Sequence, residues 1–177
     1  MLCNAQHSFS RYAASQILLN FIVKKHKDDI ILQHRDWMSM LAGAIKTADM
    51  NLKINITKIF HHYIMLVLSD PKKWGNDRIY TELAKLMLDG ICNFRNADYL
   101  LVNLETMYLL TDMEITRQII LVEEFATRLV NLLHNRVNSG VDSILIKCLI
   151  VYLKYKPETS SSIEKLVLEC MKRDIDQ

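Results

Sequence analysis

The sequence predicts an all-α fold in which about four antiparallel helix pairs stack as a right-handed α–α superhelix. Only 4 glycines and 2 prolines occur in 177 residues, whereas average usage would supply about 21. Sheets of short strands need these residues in their tight turns, so their scarcity favours helices. Hydrophobic residues, 50% of the chain, recur in eight segments at the i, i+3, i+4 spacing of amphipathic helices. Short connections between the segments indicate that consecutive helices pack antiparallel.

The first two helices are predicted from apolar residues at three- and four-residue steps. The first helix covers about residues 8–25. The second begins at Asp36, a residue type that commonly caps helix N-termini. Their apolar faces are predicted to lie inward, and they consist of Phe9, Ala13, Ile17 and Phe21 in the first helix and of Trp37, Leu41, Ala44 and Ile45 in the second.

The third and fourth helices are separated by a proline. The third, about residues 50–69, is apolar on nearly all sides toward its C-terminal end, as expected for an interior helix. It is predicted to end at Ser69-Asp70-Pro71, because proline disfavours a helical conformation in the residue before it. The fourth helix is capped by Asn76 or Asp77 and is predicted to bury Ile79, Leu83, Leu86, Met87 and Ile91.

The fifth helix begins near Ala97 and continues to about Thr111. The sixth is predicted to be the longest, an unbroken helix from about Glu114 to Asn135. The segment Asn138-Ser139-Gly140 is expected to end it, because glycine readily adopts the left-handed conformation that follows many helices.

The last two helices are predicted from their capping residues. The seventh is capped by Asp142 or Ser143 and ends before Pro157. The eighth follows the hydroxyl-rich segment Thr159–Ser162, which is typical of a helix N-terminus.

Two glycines fall inside or at the end of predicted helices, Gly43 in the second and Gly90 in the fourth. Glycine destabilises a helix interior relative to alanine. Close packing against a neighbouring helix is therefore the simplest explanation for both.

The spacing of the helices indicates a repeat architecture. The even-numbered helices begin near residues 36, 77, 114 and 160, at intervals of 41, 37 and 46 residues. Armadillo and HEAT repeats contain two or three helices and recur at about 40–47 residues. We therefore predict a single HEAT/armadillo-like domain over residues 1–177. A compact eight-helix domain is the alternative, because no sequence motif recurs at this period.

Composition excludes several classes of protein. Lys and Arg number 22 against 20 for Asp and Glu, a net charge of +2, which is too balanced for a dedicated nucleic-acid-binding protein. No apolar run approaches the roughly 18 residues of a membrane span, and the N-terminus lacks the basic start and apolar core of a secretory signal. The four cysteines have no zinc or disulfide spacing. We expect an intracellular protein without membrane contact, whose thiols are reduced.

Three short motifs have structural explanations. His34-Arg35-Asp36 matches the catalytic-loop triplet of protein kinases, but Leu41 occupies the position of the magnesium-binding asparagine, and Asp36 is interpreted as a helix cap. The adjacent His61-His62 point about 100° apart on a helix, whereas a helical zinc pair needs i,i+4 spacing. Asn55-Ile56-Thr57 matches a glycosylation acceptor but lies within a predicted helix. No catalytic residue, cofactor site or metal site is predicted.

A basic patch is the candidate contact site. Lys24, Lys25 and Lys27 lie at the end of the first helix, and Lys72 and Lys73 follow the third. Cations stabilise the negative end of a helix dipole, which explains the first group without any partner. If the inter-helix turns stack along one edge, the five lysines form a ridge, and a weak contact with nucleic-acid phosphates is then expected.

A longer pattern points to a family. Trp37 opens a helix after a polar turn, and the later features follow in order: Leu100–Tyr108 before a long helix, that helix at Ile115–Leu133, and Ile144–Leu153 running into Tyr155-Lys156-Pro157. In helix order and apolar spacing, the segment from about Arg35 to Pro157 resembles the N-terminal HEAT-repeat solenoid of the ataxia-telangiectasia-mutated (ATM) family of phosphatidylinositol-3-kinase-like Ser/Thr protein kinases.

The resemblance implies that the chain is a fragment or N-terminal segment of a larger, mainly nuclear kinase in DNA-damage and telomere signalling. The catalytic domain of that family is C-terminal and absent from this chain, so no kinase activity is expected here. We expect a non-catalytic scaffold that binds protein partners through its solenoid faces. The alternatives are a stand-alone HEAT/armadillo-like adaptor, a nucleic-acid-binding solenoid and an all-α enzyme.

Overall fold

The structure, a computed structural model, is helical and contains no strand among the residues it describes, which confirms the all-α prediction. It describes residues 8–25, 36–69, 77–93, 96–134, 139–157, 163–165, 168 and 172. The helices are α1 (Ser8–Lys25), α2 (Asp36–Ile45), α3 (Met50–Ser69), α4 (Asp77–Cys92), α5 (Ala97–Leu110), α6 (Glu114–Ile120), α7 (Glu123–His134) and α8 (Ser139–Tyr155). Residues 163–165 are helical too. The rest of the predicted eighth helix lies mostly outside the described residues.

The helices pack as two rows joined side by side. In the first row, α1 packs against α3, α3 against α5, and α5 against α8. In the second row, α2 packs against α4 and α4 against α6. Contacts between α2 and α3, α4 and α5, α5 and α6, and α7 and α8 connect the rows. Up to α6 the chain therefore alternates between the rows, and α3 and α5 each have first-row neighbours on both sides.

The core lies between the two rows. Its largest fully buried side chains include Phe60 on α3, Tyr80 on α4, Phe125 on α7 and Tyr152 on α8. Tyr63 of α3 links the rows, because its ring meets Trp37 of α2 edge-on at 6.0 Å and stacks with Tyr80 at 6.4 Å. The buried apolar side chains form one continuous cluster from α2 to α8.

The predicted sixth helix is two helices. A break at Leu121-Val122 separates α6 from α7. Leu121 has φ −82° and ψ 56°, and the Val122 amide donates to the Ile120 carbonyl at 2.8 Å, the geometry of an inverse γ-turn. Ile120 and Leu121 are both buried, so the break places two consecutive apolar side chains in the core. Neither glycine nor proline marks this turn, and the prediction of an unbroken helix is wrong.

The predicted start of the next helix is also wrong. α8 begins at Ser139, so Gly140 lies in its first turn instead of the preceding connection, and Asp142 and Ser143 lie within the helix. Val141 is 1% exposed. Beginning the helix before Val141 allows this side chain to join the core.

The orientation of α1 reverses the prediction. Phe9 and Ile17, placed on the inward face by the sequence pattern, are 78% and 70% exposed. The packed side of α1 carries Ala14, Leu18 and Leu19 instead, together with the buried Ser15. The helix has apolar side chains on two opposite sides, so its spacing alone does not determine which side faces the core.

The two helical glycines differ. At Gly90 in α4, an added Cβ would lie 2.6 Å from the Asn103 Oδ1 and 3.0 Å from the Tyr99 hydroxyl of α5, so close packing is confirmed there. At Gly43 in α2, an added Cβ would meet no atom within 4 Å. The close-packing explanation is wrong for Gly43, which is exposed.

Candidate interaction surface

Large apolar side chains are exposed on both helix rows. Phe9 and Ile17 on α1, Met65 on α3, and Ile150 and Tyr155 on α8 belong to the first row, and Met40 on α2 and Ile115 on α6 to the second. Single exposed apolar side chains are common on protein surfaces. The pair on α1 differs because both of its members lie on the same side of one helix.

This pair belongs to a stripe, which we call the outer stripe of α1 and define as Phe9, Ala13 and Ile17. At 100° per residue the three positions span about 80° of the helix. The exposed residues beside them, Ser10 and Asn20, are polar but uncharged. The three residues of the outer stripe are apolar, and Lys24, seven residues after Ile17, continues the same side of the helix toward its C-terminus.

The opposite side of α1 is held to α3 by a polar network. The Asn55 side-chain amide donates to the Ser15 hydroxyl at 2.9 Å, and the Gln16 amide donates to the Asn55 Oδ1 at 2.9 Å. Ser15 in turn donates to the Tyr12 carbonyl at 2.6 Å. Both polar atoms of the Asn55 side chain are bonded, and the residue is buried. This environment leaves no room for glycosylation at Asn55, in agreement with the sequence interpretation.

Three arginines from other helices satisfy carbonyl groups at helix C-termini. Arg11 of α1 donates to the Ala44 carbonyl of α2 at 3.2 Å. Arg128 of α7 donates to the Cys92 carbonyl of α4 at 3.0 Å. None of α2, α4 and α5 has a basic residue in its own last turn. The cation that stabilises each of these helix C-termini thus comes from another helix.

The third arginine, Arg117 of α6, caps α5. Its Nε donates to the Thr111 carbonyl at 2.9 Å and its Nη2 to the Asp112 carbonyl at 3.2 Å. The guanidinium also lies 4.3 Å from the ring centroid of Tyr155 on α8, a cation–π distance. Thr116 donates to the Leu110 carbonyl at the same corner. Arg117 therefore connects the ends of three helices.

An open groove of about 530 Å³ lies between the end of α4 and α7. Its lining consists of Cys92, Glu124, Thr127, Arg128 and Asn131. Burial raises the pKa of the Cys92 thiol, the charges of Glu124 and Asp89 raise it further, and Arg128 opposes them. Because a thiolate is the reactive form of cysteine, Cys92 is a weak nucleophile in this setting.

A second cavity, of about 340 Å³, lies beside the first turns of α2 and α4. Ser39, Arg78, Ile79 and Glu82 line it. Since residues from the beginning of both helices share this cavity, α2 and α4 have their N-termini at the same end of the second row.

The adjacent histidines lie on α3, where their rings meet edge-on at 5.8 Å. Both are half-buried. Burial lowers the pKa of His61, and the charge of His62 lowers it further; burial also lowers the pKa of His62. Within the described part of the chain, no group of three His, Cys, Asp or Glu side chains is arranged to hold a metal ion.

Several sequence-predicted positions lie outside the described residues. Lys24 and Lys25 form the last turn of α1, but their side chains are not described, and Lys27, Lys72 and Lys73 lie outside the described ranges. His34 and Arg35 also lie outside, and Asp36 begins α2. The basic ridge therefore remains a prediction.

The two described cysteines are free thiols. Burial raises the pKa of Cys148 to about 12, as expected for a cysteine enclosed in the core. Cys92 borders the groove, and Cys3 and Cys170 lie outside the described residues. In the described segments, no helix is both long enough and apolar enough to cross a membrane.

Comparison with known proteins identifies no match to a family model, a curated protein or a solved structure. Function is therefore inferred from the helices, their exposed faces and their contacts.

Proposed function

We propose that the chain is a non-catalytic helical-repeat scaffold that binds other proteins through its helix faces, with its helices arranged as a right-handed HEAT/armadillo-like superhelix. The supporting observation is the alternation of the chain between two rows, in which α3 and α5 each have row neighbours on both sides. Such a helix keeps one side for solvent. Successive open sides along a row form an extended surface, the feature that helical-repeat proteins use to bind partners.

Both rows carry exposed apolar side chains to which a partner protein could bind. Met65 and Ile150 lie on the first row, and Met40 and Ile115 on the second, each between 42% and 56% exposed. Apolar side chains surrounded by polar surface are the residues that partner proteins bury. We expect a partner protein to bind to only one of the rows, because the two rows lie on opposite sides of the core.

The experiment is capture of partners from a nuclear extract on the full chain, followed by quantitative mass spectrometry. Met65→Lys/Ile150→Lys alters the first row, and Met40→Lys/Ile115→Lys alters the second. One double variant should lose a defined set of partners at least tenfold, while the other retains them. The lost set identifies the row that binds.

The matched control introduces lysine at exposed polar positions of the same rows, with Ser143→Lys on α8 and Gln118→Lys on α6. All variants must have the helical circular dichroism of the parent. If neither double variant loses a protein that the control retains, the scaffold proposal is wrong.

We further propose that the chain is the N-terminal segment of an ATM-like, nuclear Ser/Thr kinase. The support for this is the resemblance of residues 35–157 in apolar spacing and helix order, in which α6 and α7 replace the single long helix of the sequence pattern. A phosphatidylinositol-kinase-like domain in the same reading frame downstream is the expected finding. A stop codon shortly after Gln177, or an unrelated domain there, would instead favour the stand-alone adaptor.

A further inference from the structure

We propose that the open groove between the end of α4 and α7 binds an arginine side chain of a partner protein. The inference deepens the scaffold proposal and rests on it, because the occupant is a segment of a partner. Three observations carry it: the shape of the groove, the charges around Cys92 and the oxygen atoms along α7.

The groove is built from one side of α7 and the last residue of α4. Glu124, Thr127, Arg128 and Asn131 have the i, i+3, i+4, i+7 spacing of a single helix side. Cys92, at the end of α4, completes the lining. The volume of about 530 Å³ lies within the range of ligand sites, about 300–1,000 Å³. Because the groove is open, a side chain can enter it while the rest of its segment stays outside.

The charges around Cys92 favour a cation. Arg128 donates to the Cys92 carbonyl at 3.0 Å, so its charge lies at the negative end of the α4 dipole, where α4 has no basic residue of its own. Two carboxylates act on the same thiol, Glu124 on α7 and Asp89 one turn earlier on α4. Burial raises the pKa of Cys92 most; among the charges, Glu124 raises it more than Arg128 lowers it, and Asp89 raises it further. The electrostatic potential in this part of the groove is therefore negative.

The oxygen atoms along α7 favour a guanidinium over an ammonium group. Glu124, Thr127 and Asn131 are exposed, and their side chains contain carboxylate, hydroxyl and amide oxygens that accept hydrogen bonds. Glu124 and Thr127 are about 4.5 Å apart along the helix axis, a separation that two donors of one guanidinium can bridge. Arginine has five N–H donors in a planar fork, whereas lysine has three on a single atom.

The negative potential also favours a segment of a protein over the free amino acid. Free arginine has a carboxylate next to its side chain, and this group would be repelled by Glu124 and Asp89. Within a polypeptide the same carbon belongs to an uncharged amide. A peptide that contains arginine should therefore bind more tightly than free arginine.

The test uses alkylation of Cys92 to measure occupancy. Cys3→Ser and Cys170→Ser remove the two thiols outside the described residues, and the remaining Cys148 is 2% exposed. The rate at which iodoacetamide alkylates Cys92 is measured with acetyl-Gly-Gly-Arg-Gly-Gly-amide and with the same peptide containing citrulline, a neutral isostere of arginine. At about 10 mM the arginine peptide should slow alkylation about threefold or more, which corresponds to a dissociation constant of about 5 mM or lower. The citrulline peptide should leave the rate unchanged.

A matched pair of variants tests the role of charge. Glu124→Gln preserves the size of the side chain and removes its charge. In this variant the arginine peptide should protect Cys92 no better than the citrulline peptide does. Without peptide, Cys92 should react faster than in the parent, because its pKa falls and more thiolate is present. Glu114→Gln, at an exposed acid of α6, should leave both the rate and the protection unchanged. Equal melting temperatures show that the variants are folded.

Equal protection by the two peptides, or full protection in Glu124→Gln, overturns the proposal. Stronger protection by free L-arginine than by the peptide also overturns it, because the occupant would then be a small molecule. The scaffold proposal is tested separately by the capture of partners. If the row variants change capture but the peptide does not protect Cys92, only the assignment of the groove is wrong. If they leave capture unchanged while the peptide protects Cys92, the scaffold proposal is wrong and the groove still binds arginine.

Discussion

Gly43 and Gly90 both lie within helices, yet their surroundings are opposite. Gly43 faces solvent, while Gly90 allows α4 to approach the Asn103 and Tyr99 side chains of α5. The sequence pattern is the same at both positions, since each is a glycine in an apolar helical segment. Only the distance to the neighbouring helix distinguishes a packing glycine from one that merely weakens its helix.

The same substitution should therefore have opposite effects at the two sites. Gly43→Ala should stabilise the protein by about 0.5–1 kcal/mol, because alanine loses less backbone entropy on folding and meets no neighbour. Gly90→Ala should destabilise it by about 1–2 kcal/mol, since the new Cβ would displace the buried Asn103 side chain, an overpacking cost that exceeds the gain in helix propensity. Urea unfolding followed by circular dichroism measures both, and shifts of the same sign would contradict the packing described for α4 and α5.

The His61-His62 pair of α3 is expected to make the stability of the protein depend on pH. The Nδ1 atom of His61 is buried and has no hydrogen-bond partner among the described residues. The pKa of the His61 imidazole is lowered from 6.5, mainly by burial. The unfolded chain therefore binds a proton at a higher pH than the folded protein does. Stability should be present in full above about pH 6.5 and should decrease as the pH falls below that value, until the folded histidine is protonated as well.

The measurement is the free energy of unfolding between about pH 7 and pH 5.5. His61→Gln should lose less stability over this interval than the parent does, because one group that takes up a proton on unfolding is absent. His134→Gln, which changes an exposed histidine of α7, is the control. An unchanged pH dependence in His61→Gln would show that the imidazole is not desolvated.

At the scale of the element, the boundaries followed the local signals where those signals were strong. α3 covers Met50–Ser69, as predicted from its apolar spacing and from Pro71. The Asp49 carboxylate accepts from the Leu52 amide at 2.9 Å and Asn96 accepts from the Tyr99 amide at 3.0 Å, two N-caps of a recognisable residue type. The turn at Leu121 has no such signal, because a γ-turn needs neither glycine nor proline.

The arginine caps show how elements depend on one another. Arg117 donates to carbonyls at the end of α5 and lies over Tyr155 of α8. Arg117→Met should destabilise the protein by about 1–3 kcal/mol, because charge-assisted hydrogen bonds to the half-buried corner are lost. Arg78→Met, at an exposed arginine, should change stability by less than about 0.5 kcal/mol.

A double-mutant cycle separates the two roles of Arg117. Combining Arg117→Met with Tyr155→Leu should reveal a coupling energy of about 0.5–1 kcal/mol from the cation–π contact. The remainder of the Arg117→Met effect then belongs to the capping of α5. A coupling energy near zero would mean that Tyr155 and Arg117 are neighbours without mutual stabilisation. Chemical denaturation of the four chains provides all of these values.

At the scale of the whole molecule, two rows of helices pack on either side of one core. The prediction of an all-helical fold is confirmed. The prediction that consecutive helices pack together agrees with the contacts for α2 with α3, α4 with α5, α5 with α6 and α7 with α8, whereas the contacts within each row join helices that are not consecutive. Two of the arginine caps join residues that are far apart in the chain, Arg11 with Ala44 at a separation of 33 residues and Arg128 with Cys92 at a separation of 36. No sequence signal identifies such a cap, because the donor's own helix pattern explains it equally well as a surface residue.

The candidate surface was predictable only in part. Phe9, Ala13 and Ile17 are visible in the sequence as an apolar stripe, but a stripe does not reveal whether it faces the core or solvent. Ser15 and Gln16 of α1 form hydrogen bonds with Asn55 of α3, and these bonds place that side of α1 toward α3. These are polar residues that a hydrophobic pattern disregards, so the inward orientation inferred from spacing alone was reversed.

The amino-acid sequence by itself determined that this chain forms helices, and it located most of them, because apolar periodicity, caps and the scarcity of glycine and proline act over a few residues. Only the tertiary structure decided which side of α1 is exposed, where the predicted sixth helix divides and which glycine is packed. Each of those outcomes depends on the competition between two helices for the same buried space. Such a competition takes place between residues far apart in the chain, and no local pattern records its result.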